Sequence, residues 1–307
     1  MKVLVTGASG LIGRHTVDLL LREGRSVRTF QRGQLAGAAG TDDRSVEYIS
    51  GNVRKDRDAL CAAATDCQAL VHLAGRGDVA ESRADPLGYA ELIAQGTLNA
   101  LEAARTTGAV FVLASSQRVY PLHPNACNEE DQPEPDSPYG YAKWAAELWC
   151  RMASEQFRLT TRVLRFFSVF GPGQQPNGGS GVVTIFARAA LRDQPLGVQS
   201  QGRRDFTDVR DVARGIVLVL DKPADGNWSI HNIATGTGTS FRALAELIVQ
   251  QTGSRSTIDE RINNEPVGRD LVANVSRARK DLGYVPCIKL GEGLDHYIQW
   301  LRQHDSA

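Results

Sequence analysis

Short apolar runs rich in β-branched residues alternate along this chain with longer stretches whose apolar residues return every three or four positions. The runs lie at 2–6, 26–30, 46–49, 69–73 and 110–114, then 161–167. Runs apolar throughout, rather than alternating with polar residues, suit strands covered on both faces, and helical stretches between them supply the crossovers that parallel pairing needs. The pattern predicts an α/β fold with a doubly wound parallel sheet. Beyond Pro172 it changes. Residues 173–181 read as an irregular segment, followed by an amphipathic stretch over Val182–Leu191. The Pro-rich stretch from Pro121 to Pro138 reads as a loop, and its acidic residues Glu129, Glu130, Asp131 and Glu134 as a solvated face.

The first strand–helix junction carries chemistry. Val3-Leu4-Val5 runs directly into Thr6-Gly7-Ala8-Ser9-Gly10-Leu11-Ile12-Gly13, and Val17, Leu19, Leu20 and Leu21 then follow helical spacing as far as Gly24. An ordinary glycine loop needs neither the strand before it nor the amphipathic helix after it. A Rossmann-type dinucleotide site needs both. Gly7 permits the tight turn, Gly10 lets the backbone approach a diphosphate, and Gly13 allows close helix–strand packing. The anion rests at the helix N-terminus with Leu11 and Ile12, where the dipole is positive.

The end of the second strand reads the adenosine ribose in such folds: a carboxylate there suits NAD, an arginine the 2′-phosphate of NADP. Here Gln31 stands in the acidic position and Arg32 follows it. The missing carboxylate and the added guanidinium favour NADP(H) over NAD(H). The alternative keeps Arg32 as a solvated loop residue and Gln31 on an NAD ribose.

Tyr139 and Lys143 stand four residues apart in a helical stretch, which places phenol and ammonium on one face. A free tyrosine titrates near pH 10, so bringing it to neutrality takes about 4 kcal/mol of differential stabilisation of the phenolate. A nearby cation provides part of that. The chemistry served is proton exchange with a substrate hydroxyl during hydride transfer. Taken alone, the pair reads as readily as an exposed helix pair.

Together the two motifs resemble the extended short-chain dehydrogenase/reductases, in their nucleotide-sugar epimerase/dehydratase branch. His72-Leu73-Ala74-Gly75, Gly96-Thr97, Leu113-Ala114-Ser115-Ser116-Gln117-Arg118-Val119-Tyr120, Arg165-Phe166-Phe167-Ser168-Val169-Phe170-Gly171-Pro172-Gly173 and Arg204-Asp205-Phe206 through Ala213 are similar to further blocks of that family. The resemblance implies that Ser116 is the catalytic hydroxyl, with Ser115 as the competing assignment. It makes Tyr139 the acid–base and has Lys143 also hold the nicotinamide ribose. Leu73, Ala74 and Gly75 would line the cofactor, and Asn52-Val53 would lie by the adenine. Arg204 would face the substrate diphosphate, its alternative being a salt bridge to Asp205 or Asp208. Arg269 lies near another phosphate-binding arginine. Ser168 replaces an asparagine that contacts the nucleotide. In 4,6-dehydratases an Asp-Glu pair follows the catalytic hydroxyl; Gln117 and Arg118 stand here instead, which argues against dehydration.

The resemblance further implies a large domain over 1–168, rejoined by 207–233, and a substrate-binding lobe from 169–206 and 234–307. It implies a nucleotide-sugar substrate and a homodimer formed through a four-helix bundle. The helices concerned are those around Tyr89–Arg105 and from Tyr139 to about Phe157, the second carrying Trp144, Leu148 and Trp149. The leading reaction is a UDP-hexose 4-epimerase type, with hydride transfer at C4. The alternatives are an NADPH-dependent 4-ketosugar reductase, a reductase of non-sugar carbonyl compounds, and an inactive cofactor-binding regulator.

The bulk properties narrow the partners. Lys plus Arg equals Asp plus Glu at 35 each, so no net charge draws the chain to nucleic acid or an anionic membrane. No apolar segment reaches the length of a membrane span, and the N-terminal Met-Lys-Val-Leu-Val reads as a strand rather than a signal peptide. The 5 cysteines and 6 histidines are scattered, which suits reduced thiols in a cytoplasmic protein and no metal site. His72 reads as structural.

Overall fold

The computed structural model describes residues 1–33, 46–121, 126–175, 181–198, 202–222, 226–260 and 270–304. Six strands, β1 (Lys2–Thr6), β2 (Ser26–Gln31), β3 (Val46–Ser50), β4 (Ala69–His72), β5 (Val110–Ser116) and β6 (Thr161–Phe166), join a seventh at Trp228–Ile233. The order across the sheet is Trp228–Ile233, β6, β5, β4, β1, β2, β3, with every pairing parallel. Strand order reverses between β1 and β4, and the crevice outside the carboxyl ends of strands at such a point is where ligands bind.

Helices cover both faces because both faces are apolar. On one side α2 (Arg57–Ala64), α5 (Gly96–Thr107) and α6 (Pro138–Phe157) bury Leu60, Leu101, Ala142 and Ala146 against Leu70, Leu113 and Val163. On the other, α1 (Leu11–Arg22) and the Val209–Asp221 helix bury Val17, Leu20, Val212 and Ile216 against Val3, Val5 and Leu164. A separate apolar cluster unites the helices Val182–Leu191, Phe241–Thr252 and Leu290–His304 through Phe186, Leu244, Ile248 and Leu294, with Phe170 and Phe206 reaching into it. Among the described residues no helix is long and apolar enough to cross a membrane.

Three details depart from the sequence reading. The helix expected over Tyr89–Arg105 is broken: α4 (Pro86–Ala90, after the short α3, Val79–Ala84) passes through a π turn at Glu91–Gln95 before α5 begins. The wider turn keeps Tyr89, Ile93, Gly96 and Thr97 all buried on the side facing the sheet. Glu129 is not a solvated acid. It is buried and accepts a hydrogen bond from the Asn232 amide at 2.8 Å, and burial raises its pKa. Trp144 is half-buried and packs against the cluster of Val119, Tyr120 and Phe167, so only part of it belongs to the outer surface of α6.

Candidate active site

At the β1–α1 junction Gly7 has φ +71°, in the left-handed region that favours glycine, and a Cβ there would meet the Ala74 nitrogen at 2.6 Å. A Cβ on Gly13 would lie 2.2 Å from the Gly7 carbonyl oxygen, so this glycine lets the helix close onto the turn. Gly10 differs. Its Cβ would meet only the Gly7 carbonyl, at 3.3 Å, which leaves its outer side open to an approaching group. Gly10 is also the N-cap of α1 and offers no capping side chain, so the amides of Leu11, Ile12 and Gly13 open the helix toward that space. These residues fit a dinucleotide diphosphate.

The loop after β4 forms the opposite wall. The Leu73 amide donates to the Thr6 carbonyl (3.1 Å) and the Ala74 amide to Thr6 Oγ1 (3.3 Å). His72 Nδ1 bonds Thr6 Oγ1 at 2.8 Å, and burial together with the Lys143 charge lowers its pKa to about 3. His72 is therefore neutral and structural. Gln31 is buried at the end of β2, its Nε2 donating to the Gly33 carbonyl (3.3 Å) and its Oε1 without a partner, while Arg32 is exposed. Val53 is buried, whereas Asn52 Oδ1 caps the turn by accepting the Arg54 amide at 3.0 Å.

Three side chains from β5 and α6 meet beside this cradle. Ser137 caps α6, accepting the Gly140 amide at 3.3 Å, and Pro138 opens its first turn, which fixes where the helix starts over the end of β5. Tyr139 is 8 % exposed and Ser116, at the end of β5, is 7 % exposed beside it. Burial raises the phenol's pKa; the neighbouring Ser116 hydroxyl and the Arg118 charge act against that rise. Lys143 Nζ donates to the Ala114 carbonyl at 2.6 Å and lies 6.0 Å from the centre of the Tyr139 ring. Burial lowers its pKa to about 8, opposed by the Glu147 carboxylate. Gly75 completes the corner: a Cβ there would stand 3.7 Å from Lys143 Nζ. Ser115 points the other way, beneath α6, where its hydroxyl donates to Glu147 Oε1 at 2.5 Å.

The profile of the NAD dependent epimerase/dehydratase family matches residues 3–234. The chain belongs to that family. A UDP-glucose 4-epimerase of Mycolicibacterium smegmatis is 32 % identical over 316 residues, covering 98 % of this chain and 99 % of the relative. The crystal structure of UDP-glucose 4-epimerase with UDP-glucose from Thermotoga maritima superposes with a TM-score of 0.88 at 28 % identity, covering 100 % of both chains. UDP-glucuronic acid 4-epimerase from Bacillus cereus, solved with UDP-glucuronic acid and NAD, gives 0.89 at 26 % identity, covering 99 % of both.

Gln117 and Ser168 come together: Gln117 Nε2 donates to Ser168 Oγ at 3.0 Å, and the buried Gln117 Oε1 has no partner. Position 117 was read only as a missing carboxylate, although a polar side chain next to the candidate catalytic hydroxyl of Ser116 was itself a signal. Arg204 lies over the Phe241 ring at 5.3 Å and donates to the Arg203 carbonyl. The two carboxylates named as its alternative partners are engaged elsewhere, Asp205 with Thr235 and Gly236, and Asp208 with Arg210. Arg269 lies outside the described residues. Glu147 was missed. Its signal was its place four residues beyond Lys143 and eight beyond Tyr139, on the same helix face.

Proposed function

We propose that this member of the family carries out NAD(P)-dependent hydride transfer at C4 of a nucleotide-linked sugar, as a UDP-hexose 4-epimerase-type enzyme. The observation that carries the reading is the meeting of Tyr139 and Lys143 at the edge of the glycine cradle, with Lys143 Nζ 6.0 Å from the centre of the Tyr139 ring and bonded to the Ala114 carbonyl, and Ser116 next to them at the end of β5. Full-length similarity to 4-epimerases supports the choice of reaction.

In this reading the amides of Leu11, Ile12 and Gly13 would hold the diphosphate, Gln31 the adenosine ribose, Val53 the adenine side, and Lys143 the nicotinamide ribose. A bound nicotinamide would supply the hydride acceptor and donor that exchange at C4 needs. Tyr139 takes the C4 hydroxyl proton and later gives it back. Ser116 donates to the same oxygen and keeps it within reach of the phenol. Lys143 keeps a positive charge close to the developing phenolate. Absence of a carboxylate at positions 117 and 118 supports proton exchange without loss of water. Conversion of UDP-glucose to UDP-galactose, followed by chromatography and without added oxidant, tests the assignment. Consumption of NADPH with each turnover would replace it with a reductase.

The end of β2 supports NADP(H) in preference to NAD(H), since no carboxylate stands at Gln31 and the neighbouring exposed Arg32 offers a guanidinium suited to a 2′-phosphate. Titration of the protein with each cofactor decides this directly. For assembly we propose a homodimer through α5 and α6. On α6, Tyr141, Leu148, Trp149 and Phe157 are 55 %, 50 %, 39 % and 54 % exposed, more apolar surface than a solvent-facing helix carries. A fully active monomer in sedimentation at micromolar concentration would exclude it.

A further inference from the structure

Glu147 takes no part in the chemistry above, yet more of the buried polar structure converges on it than on the candidate base. Its carboxylate is 4 % exposed and is held by Arg165 through two parallel bonds, Nε to Oε1 at 2.9 Å and Nη2 to Oε2 at 2.7 Å. Ser115 donates to the same Oε1. Arg165 lies over the Tyr120 ring at 4.5 Å, and the Tyr120 hydroxyl donates to Asn232 Oδ1 at 2.7 Å. The carboxylate thus ties α6 to β5, to β6 and, through Asn232, to the edge strand.

The ties to β5 come in a pair. Ala114 accepts from Lys143 and Ser115 donates to Glu147. Two consecutive strand residues therefore engage two helix residues one turn apart, and Tyr139 stands one turn before them on the same helix face. Loss of the Glu147 tie frees that face of the helix to shift, and misplacement of reacting groups by an ångström is costly to catalysis.

We propose that Glu147 is a positioning residue for the reaction: clamped by Arg165 and Ser115, it fixes α6 over the end of β5 and holds its negative charge one turn from Lys143 on the same helix face. This rests on the assignment of Tyr139 and Lys143 to hydride transfer. The groups around Lys143 are few. His72 faces it from β4 but is neutral; Tyr139 and Glu147 share its helix; β5 offers the Ala114 carbonyl. Around Tyr139 stand Ser116, Arg118 and Tyr89, the last bonded through its hydroxyl to Glu81 of α3. Glu147 is the carboxylate that acts on Lys143, against burial.

The test is a ¹³Cε-lysine NMR titration of the cofactor-free protein, with the Lys143 resonance assigned by its loss in Lys143→Met. Glu147→Gln lowers the Lys143 midpoint by about one to two pH units, the scale of one interior charge a few ångströms away. Glu147→Asp keeps it near the wild-type value. In turnover the alkaline limb of kcat/KM moves down by the same amount in Glu147→Gln. Should that variant misfold around an unpaired Arg165, the double variant Glu147→Gln with Arg165→Met is compared with Arg165→Met alone, so that the carboxylate is the one charge that differs, and the double variant is expected to titrate lower. An unchanged midpoint in folded Glu147→Gln, no difference between those two Arg165 variants, or equal falls in the Asp and Gln variants, overturns the proposal. The midpoint is read without substrate, so its failure is separate from failure of Tyr139 as the base, which loss of turnover in Tyr139→Phe reports.

Discussion

Replacing Lys143 with methionine should leave the protein more stable at neutral pH while removing its activity. Lys143 is buried, and its pKa falls from 10.5 to about 8. The unfolded chain therefore binds its proton more tightly than the folded one. Near pH 7 the shift of roughly 2.5 units corresponds to about 3 kcal/mol against folding. Methionine fills similar volume without charge, but it leaves the Ala114 carbonyl without the donor that now stands at 2.6 Å, a loss of about 1 to 3 kcal/mol. At pH 7 the variant should lie between equal stability and about 2 kcal/mol above wild type. The decisive quantity is the pH dependence. For a lowered lysine pKa, stability increases as pH rises from the folded value toward the unfolded one. Wild type should thus gain about 2 to 3 kcal/mol relative to the variant between pH 7 and 10. Urea unfolding of both proteins across that range measures the difference, in which the other titrating groups cancel. A difference that stays flat with pH would mean that Lys143 is not buried as a destabilised cation, and the reasoning would fail.

Other outcomes follow from the same geometry. Gly13→Ala places a methyl group 2.2 Å from the Gly7 carbonyl, so it should destabilise by about 1 to 3 kcal/mol and weaken cofactor binding more than tenfold, read by calorimetry. Arg32→Ala should weaken NADP(H) by about 1 to 3 kcal/mol and leave NAD(H) nearly unchanged, and equal losses would return Arg32 to the solvent. Gln117→Ala removes a buried carboxamide with one unpaired end beside Ser116; KM for the sugar substrate should rise severalfold with cofactor affinity unaffected, and an unchanged KM would place Gln117 outside the substrate site. Tyr139→Phe should lower turnover by about 10² to 10⁴ with cofactor binding retained, as for loss of a general acid–base.

What could be read in advance divides by how far apart in sequence the cooperating residues lie. The strands, the glycine turn and the Tyr139–Lys143 pair are local signals: each is set by spacing within a few residues, and each appears in the fold where the pattern placed it. The π turn at Glu91–Gln95 was not legible, because which helical turn widens depends on keeping Tyr89, Ile93 and Gly96 buried together against elements elsewhere in the chain. Glu129 looked like one acid in a solvated run of four. Its burial is decided by Asn232, more than a hundred residues away, whose amide needs an acceptor.

The same distance hid the most connected side chain near the site. The one local sign of Glu147 was its spacing from Lys143 and Tyr139; its partners Ser115 and Arg165 come from two strands distant in the sequence. Its meaning arises only when parallel pairing brings Ser115 opposite Arg165 in adjacent strands, with α6 laid across both. A buried ion pair of this kind adds little to stability compared with apolar residues of equal volume. Its retention beneath Tyr139 and Lys143 is therefore better explained by position and charge than by cohesion. On that account Glu147→Leu with Arg165→Leu should leave the protein as stable as wild type or more so in urea unfolding, while turnover falls at least tenfold. Equal stability with undiminished turnover would reduce the pair to packing.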